Sequence, residues 1–218
     1  MGETSEGAAA ALGSDAPPAL RIPFSASTLE REPILTERMR MRPLVVEDAR
    51  DVWEYAQLPD VIRYIPWPQR SEDEARDHNA RRSGMRLMEK NEDGIILACE
   101  LIGESSIGRP GDRVIGDVML RIDDLESADI EIGWVFHPDF QGRGLASEAA
   151  SAAIDVAFDR LGAHRVHAML DARNDASAAL CRRLGMRHEA TFLEDEFFKG
   201  EWTDSAVFAV LHREWIAR

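Results

Sequence analysis

The chain is short of cysteine, lysine and positive charge, and each shortage excludes something. Of 218 residues only Cys99 and Cys181 are cysteine, too few and too far apart for a disulfide framework or a thiolate zinc site, so a reducing compartment is expected. Lysine occurs only at Lys90 and Lys199, outside any glycine-rich loop. A Walker-type phosphate loop, which needs Gly-Lys-Ser/Thr, is thereby excluded. The 26 Lys+Arg against 40 Asp+Glu leave a net charge of -14. Such a balance is repelled by nucleic-acid backbones and anionic membranes and favours cationic partners such as amines or basic peptides. No uncharged apolar stretch approaches the roughly 20 residues of a membrane span, and no basic region followed by an apolar one opens the chain. A cytoplasmic protein is the expectation. The six histidines include no His-Glu-x-x-His pair, and no metal site is expected.

What remains is an ordinary globular composition, 44% apolar and 30% charged, enough for one main domain. Residues 1–33 are rich in Ala, Gly, Ser and Pro without periodicity, and read as a flexible tail. The regular part runs from 34 to 218. Leu35 to Pro43 alternates as a strand, and Val45, Ala49, Val52, Trp53 and Ala56 share one helical face. Tyr64 to Pro68 carries two prolines and two large aromatic rings in a loop. Ser71 followed by Glu72, Asp73 and Glu74 starts a helix expected to reach about Lys90. Ile95–Leu101, Val114–Ile122 and Asp129–Phe136 read as an antiparallel meander. A helix from Leu145 to Leu161, a strand from Arg165 to Asp171 and a helix from Asp175 to Leu184 come next, then two strands around Met186–Phe197 and Ser205–Leu211. The fold class is α/β, with a mixed sheet of about seven strands and flanking helices.

Chemistry concentrates in Gly133 to Glu148, which gives in order a strand, a Pro-broken turn, a glycine-rich loop and a helix start. Gly142 and Gly144 free the backbone to curl, and the first helical N–H groups then point outward unpaired, an anion cradle reinforced by the helix dipole. Arg143 can add a charge-assisted bond. A diphosphate suits such a cradle. A dinucleotide fingerprint fits poorly, because His137 to Gln141 intervene between strand and loop.

Gln141-Gly142-Arg143-Gly144-Leu145-Ala146 resembles the acyl-CoA motif of the GNAT (Gcn5-related) N-acetyltransferases, in their RimJ/RimL-like branch. Further similarity lies in Arg63 to Pro68, Asp129 to Trp134, Asn174-x-x-Ser177 through Leu184-Gly185-Met186, and Lys199 to Asp204 with Glu214-Trp215. The resemblance covers about residues 34–216. It implies a mostly antiparallel GNAT-like sheet whose central strands, Asp129–Phe136 and Arg165–Asp171, splay apart around the pantetheine arm of acetyl-CoA. Backbone groups of Trp134, Val135 and Phe136 would bond that arm, and amides from Gly142 to Ala146 would hold the diphosphate. Asn174 would meet the pantetheine or cap the following helix, and Ser177 would face the same space.

Some members of that family carry a tyrosine seven residues after the asparagine as acid for the departing thiolate. Here the position is Cys181, so Ser177, Cys181 or water is left to donate. Others carry a glutamate where Met169 stands, and Glu131, on the strand before the loop, is the candidate base, with Asp171 as a substitute. Tyr64, Trp67 and the connection from Phe197 to Trp202 would roof the acceptor pocket, whose rim is acidic. The resemblance implies a primary amine as the acceptor. An α-amino group is about a tenth neutral at pH 7 and a lysine only about once in 2,500, which favours a protein or peptide N-terminus, reached by direct transfer in a ternary complex. A small-molecule amine such as an aminoglycoside, polyamine or amino-acid derivative is the alternative, and a non-catalytic acyl-CoA-binding module is another. Dimers are common in the family, and no apolar stripe in this sequence establishes a homodimer.

Overall fold

The computed structural model describes residues 19–102 and 113–218. In chain order the elements are β1 (Phe24–Ser25), α1 (Ser27–Arg31), β2 (Ile34–Leu35), β3 (Met39–Pro43), α2 (Ala49–Ala56), α3 (Pro59–Ile62), α4 (Glu72–Ser83), β4 (Leu87–Met88), β5 (Gly94–Leu101) and β6 (Arg113–Asp124). They continue as β7 (Asp129–Phe136), α5 (Leu145–Asp155), β8 (Arg165–Asp171), α6 (Asp175–Arg183), β9 (Arg187–Phe198), β10 (Glu201–Leu211) and α7 (His212–Trp215). Eight strands form one sheet in the order β2-β3-β5-β6-β7-β8-β10-β9, and β1 pairs with β4 apart from it. All neighbours in the large sheet are antiparallel except β7 and β8. The expected architecture is present, with one strand more than anticipated.

Strand β5 explains how the sheet is covered. Its Ile95, Leu97 and Cys99 pack with Met39, Met41 and the α5 residues Ala149, Ala150 and Ala153. The alternate residues Ile96 and Ala98 pack on the other face with Val52 and Tyr55 of α2. A strand buried on both faces reads as a continuous apolar run, as this one does. The small side chains of α5 bring that helix close to the sheet. Below α2 and α4, Asp117 of β6 accepts from Tyr55 Oη at 2.5 Å and from Arg82 Nη2 at 2.5 Å, so the buried charge is paired and doubly hydrogen-bonded.

Three local expectations change. The strand expected from Leu35 to Pro43 is broken in two, because Thr36 Oγ1 accepts from the Met39 N–H at 3.0 Å and closes a turn. Helix α4 ends at Ser83 rather than near Lys90, since Leu87 and Met88 leave it to pair with Ser25 and Phe24. That pairing also shortens the expected tail. Residues 1–18 lie outside the described residues, but Leu20, Phe24, Ala26 and Leu29 are buried in the main core, so the domain takes in part of the segment assigned to the tail. The long helix expected from Leu145 continues past Asp155 as a wider π-type turn over Val156–Arg160, and Gly162 at φ +73° follows it.

Candidate active site

The site begins where two strands part. Strands β7 and β8 pair at only three positions, Asp129 with Arg165, Ile130 with Val166 and Glu131 with His167. Beyond them β8 continues along β10 and β7 along β6. The β8-facing edge of β7 after Glu131 is left without a ladder partner, and its backbone groups are free to take one. Into this gap opens a cavity of about 600 Å³, large enough for an extended cofactor arm.

Its lining joins segments far apart in sequence. Trp134, Val135 and Phe136 come from β7, Gln141, Gly142, Gly144, Leu145 and Ala146 from the loop and first turn of α5, Asn174 and Ser177 from the start of α6, and Tyr64 from the loop after α3. Gly142 and Gly144 have φ of +71° and +79°, the left-handed region where a side chain is strained. A Cβ on Gly142 would meet nothing within 4 Å, so the demand there is torsional rather than steric. Gly144 is the N-cap of α5 and supplies no side-chain cap. The first-turn amides therefore face a ligand or water, and the dipole favours an anion among them.

Side chains fasten the loop from outside. Gln141 Nε2 donates to the Phe136 carbonyl at 3.1 Å. Arg38 donates from Nε to Glu148 Oε2 and from Nη1 to the Arg143 carbonyl, each at 2.8 Å, while its backbone N–H donates to Glu148 Oε1 at 2.8 Å. Burial pushes the Glu148 carboxyl up, but hydrogen bonds from Thr36 and Arg38 hold it below its ordinary value. Arg143 itself does not line the cavity, and its guanidinium lies 5.8 Å from the Phe140 ring centre. The Asn174 side chain accepts from the Ser177 N–H at 3.0 Å, a helix cap, and the Trp134 indole N–H donates to Ser177 Oγ at 3.3 Å.

Several expected site residues stand elsewhere. Glu131 is outside the lining, held by Arg121 Nε at 3.0 Å and by a second donor of the same guanidinium. Cys181 is 0% exposed, and burial pushes its thiol up to about 12. Trp67 turns away from the cavity toward Arg82 and His78, its ring centre 4.8 Å from the Arg82 guanidinium and 5.1 Å from the His78 ring. Trp202 packs edge-on against Phe197 at the β9–β10 hairpin, each 59% exposed. The hairpin still reaches the site's rim, because Lys199 Nζ donates to the Ile62 carbonyl at the end of α3. Asp171 is held by Arg173 at 2.6 Å. Among the described residues one group could hold a metal ion, Asp123, Glu131 and His167, with ligand atoms within 4.8 Å of one another. Arg121 already sits on its Glu131.

Sequence reasoning missed Arg38, Glu148, Asp60 and Arg183. The first two meet across 110 residues, and no local pattern announces that contact. Asp60 and Arg183 line the cavity from helices whose placement only the fold reveals. The Asp60-Val61-Ile62 step before Arg63-Tyr64 was the available signal, since a helix leading into an aromatic loop carries its polar residues to the same mouth.

A parted parallel strand pair beside a glycine-curled anion cradle makes this a site for a phosphate-bearing carrier with an extended arm. Residues 38–187 match the family model of the acetyltransferase (GNAT) domain. The chain belongs to the GNAT N-acetyltransferase family. It is 30% identical over 182 residues to the uncharacterized N-acetyltransferase YnaD of Bacillus subtilis, covering 84% of this chain and 98% of that protein. A crystal structure of a GNAT-family acetyltransferase from Bacillus anthracis superposes with a TM-score of 0.71 at 29% identity, over 83% of this chain and 99% of the other. Two more distant structures share the fold. RimL, the ribosomal L7/L12 α-N-protein acetyltransferase, in complex with coenzyme A, has a TM-score of 0.67 at 16% identity and covers 82% and 96% of the two chains. Spermidine N-acetyltransferase from Vibrio cholerae with CoA and spermine has 0.66 at 19% and covers 82% and 98%. No helix among the described residues is long and apolar enough to cross a membrane.

Proposed function

We propose that this N-acetyltransferase moves the acetyl group of acetyl-CoA directly to a protein or peptide N-terminal α-amino group. The diphosphate lies on the first-turn amides of α5 beside Gly142 and Gly144. The pantetheine arm runs along the open edge of β7 past Trp134, Val135 and Phe136, and Asn174 offers it the amide nitrogen that capping leaves free. The lone pair of the neutral amine forms the C–N bond at the thioester carbonyl, the C–S bond breaks, and the proton shed by the nitrogen ends on the departing thiolate. Ser177 relays it, because its oxygen accepts from Trp134 and its own O–H remains to be donated to sulfur while the amine's proton replaces it. We leave Cys181 in the core and Glu131 in its ion pair.

One observation carries the choice of acceptor. The described residues that line the cavity include no histidine, lysine or glutamate and a single carboxylate, the exposed Asp60, so no base stronger than a carboxylate faces the reacting amine. An acceptor that is about a tenth neutral at pH 7 needs no such base, whereas a lysine side chain does. The small-molecule reading is favoured by a different feature, the Asp60 carboxylate in the lining, and by the spermine-bound structure among those sharing the fold.

Thiol release from acetyl-CoA tests both. A peptide with a free N-terminus should turn over, and the same peptide with a blocked N-terminus should not. Turnover of spermidine alone would replace this reading with the second. Glu131→Gln should keep kcat/KM within about twofold and leave the pH profile unmoved; a larger loss would return Glu131 to the reaction.

A further inference from the structure

Most carboxylates on the elements around the cavity are taken, and none of those lines it. Glu131 is held by Arg121. Asp171 and Glu201 share Arg173, at 2.6 and 2.8 Å, and Glu148 is held by Arg38. Asp60 differs. It lines the cavity and is exposed, and no hydrogen bond or ion pair from another described residue reaches its carboxylate. The nearby guanidinium groups of Arg63 and Arg173 lie over the Tyr64 ring instead, 5.1 and 5.9 Å from its centre.

Asp60 is also held in place. Leu58 enters α3 extended, Pro59 occupies its first turn, Ile62 is buried, and Lys199 reaches across from the hairpin to the Ile62 carbonyl. The cationic group of the lining, Arg183, donates from Nε to Ser147 Oγ at 3.3 Å and so belongs beside the first turn of α5. The cavity thus has a cation next to its anion cradle and one unpaired anion on α3. That polarity matches a phosphate-bearing carrier and a cationic acceptor entering the same space.

We propose that Asp60 is a specificity residue for the acceptor, its carboxylate binding the ammonium group of the incoming amine. The assignment rests on acetyl transfer to an amine at this cavity and holds for a peptide N-terminus or a polyamine alike. Uncharged acceptors gain nothing from it.

The test compares the full chain with Asp60→Asn on three acceptors: a peptide with a free N-terminus, spermidine, and p-anisidine, an arylamine uncharged at neutral pH. Thiol release gives KM and kcat, and calorimetric titration gives the affinity for CoA. KM for the cationic acceptors should rise about fivefold, with kcat, CoA affinity and the p-anisidine reaction unchanged. Added salt should raise the wild-type KM toward that of the variant, and Asp60→Glu should restore most of the loss. An unchanged KM for cationic amines, or an equal loss on p-anisidine, overturns the role of Asp60 while the acceptor reading stands. Should the wild-type chain bind CoA yet acetylate none of the three, the acceptor reading itself falls and this assignment with it.

Discussion

The two halves of the cavity are built by different means. At the cradle the groups on offer are backbone amides, and side chains fasten the loop around them: Arg38 to Glu148 and the Arg143 carbonyl, Gln141 to the Phe136 carbonyl, Asn174 Oδ1 to the Ser177 N–H. At the other end, to which we assign the acceptor, the lining is side chains on a four-residue helix and the loop after it, braced by the tip of a hairpin through Lys199 and Arg173. A ligand that never changes is suitably gripped by main chain, which substitution does not alter. A ligand that differs between relatives is better met by side chains on loops, which change without disturbing the sheet. Structures named for a ribosomal protein and for spermidine share this one fold.

The sharpest break of that contrast is Gly144→Val. With φ at +79°, a β-branched residue is strained in the left-handed region, and the loop escapes by turning its amides. CoA affinity should fall by about thirtyfold, roughly 2 kcal/mol, as read by calorimetric titration. Full affinity in the variant would mean that the curled loop is not the carrier's grip.

Arg38→Ala comes next. It removes the guanidinium's contact with Glu148 Oε2 and its bond to the Arg143 carbonyl, keeps the backbone N–H bond to Oε1, and touches no ligand. CoA affinity should drop about fivefold and Tm by about 2–4 °C. Arg38→Lys should not restore either, because a single ammonium cannot reproduce the planar fork. Rescue by lysine would reduce the latch to simple charge neutralisation.

The same contrast governs what could be read from the sequence. The cradle was legible because its determinants are local: two glycines, a following helix and a preceding strand within sixteen residues of chain. The parting of the strands was legible only through family resemblance. Glu131 misled because its fate depends on register, which sets it directly across from Arg121. Trp67 and Trp202 misled because an aromatic ring in a loop finds the nearest apolar or cationic surface, and for Trp67 that surface is Arg82, 15 positions on and one helix away. Residues 19–33 resemble a tail because their strand and helix are too short for periodicity to appear. Only burial of Leu20, Phe24 and Leu29 against the core reveals their place.

The smallest effect concerns how the acceptor half is held at low pH. His78 on α4 lies against Trp67, and its Nε2 is buried without a partner among the described residues. Burial and then the charges of Arg70, Arg82 and Arg81 hold its pKa at about 4, against an ordinary 6.5, with Asp117 opposing. The folded chain therefore keeps this ring neutral where the unfolded chain would protonate it. Its share of stability is complete above pH 6.5 and is lost as the pH falls from there through 4. The ring is only partly buried, so the full linkage value is discounted to about 1 kcal/mol. His78→Gln cannot take up the proton. The fall in Tm between pH 7.5 and pH 4.5 should then be smaller in the variant by about 2–4 °C. Hydrogen exchange at pH 4.5 should place the wild-type loosening in α4 and the Trp67 loop, with the cradle at α5 still protected. Equal acid sensitivity in the two proteins, or loosening that begins at α5, would show that the weaker half of the cavity has been assigned to the wrong end.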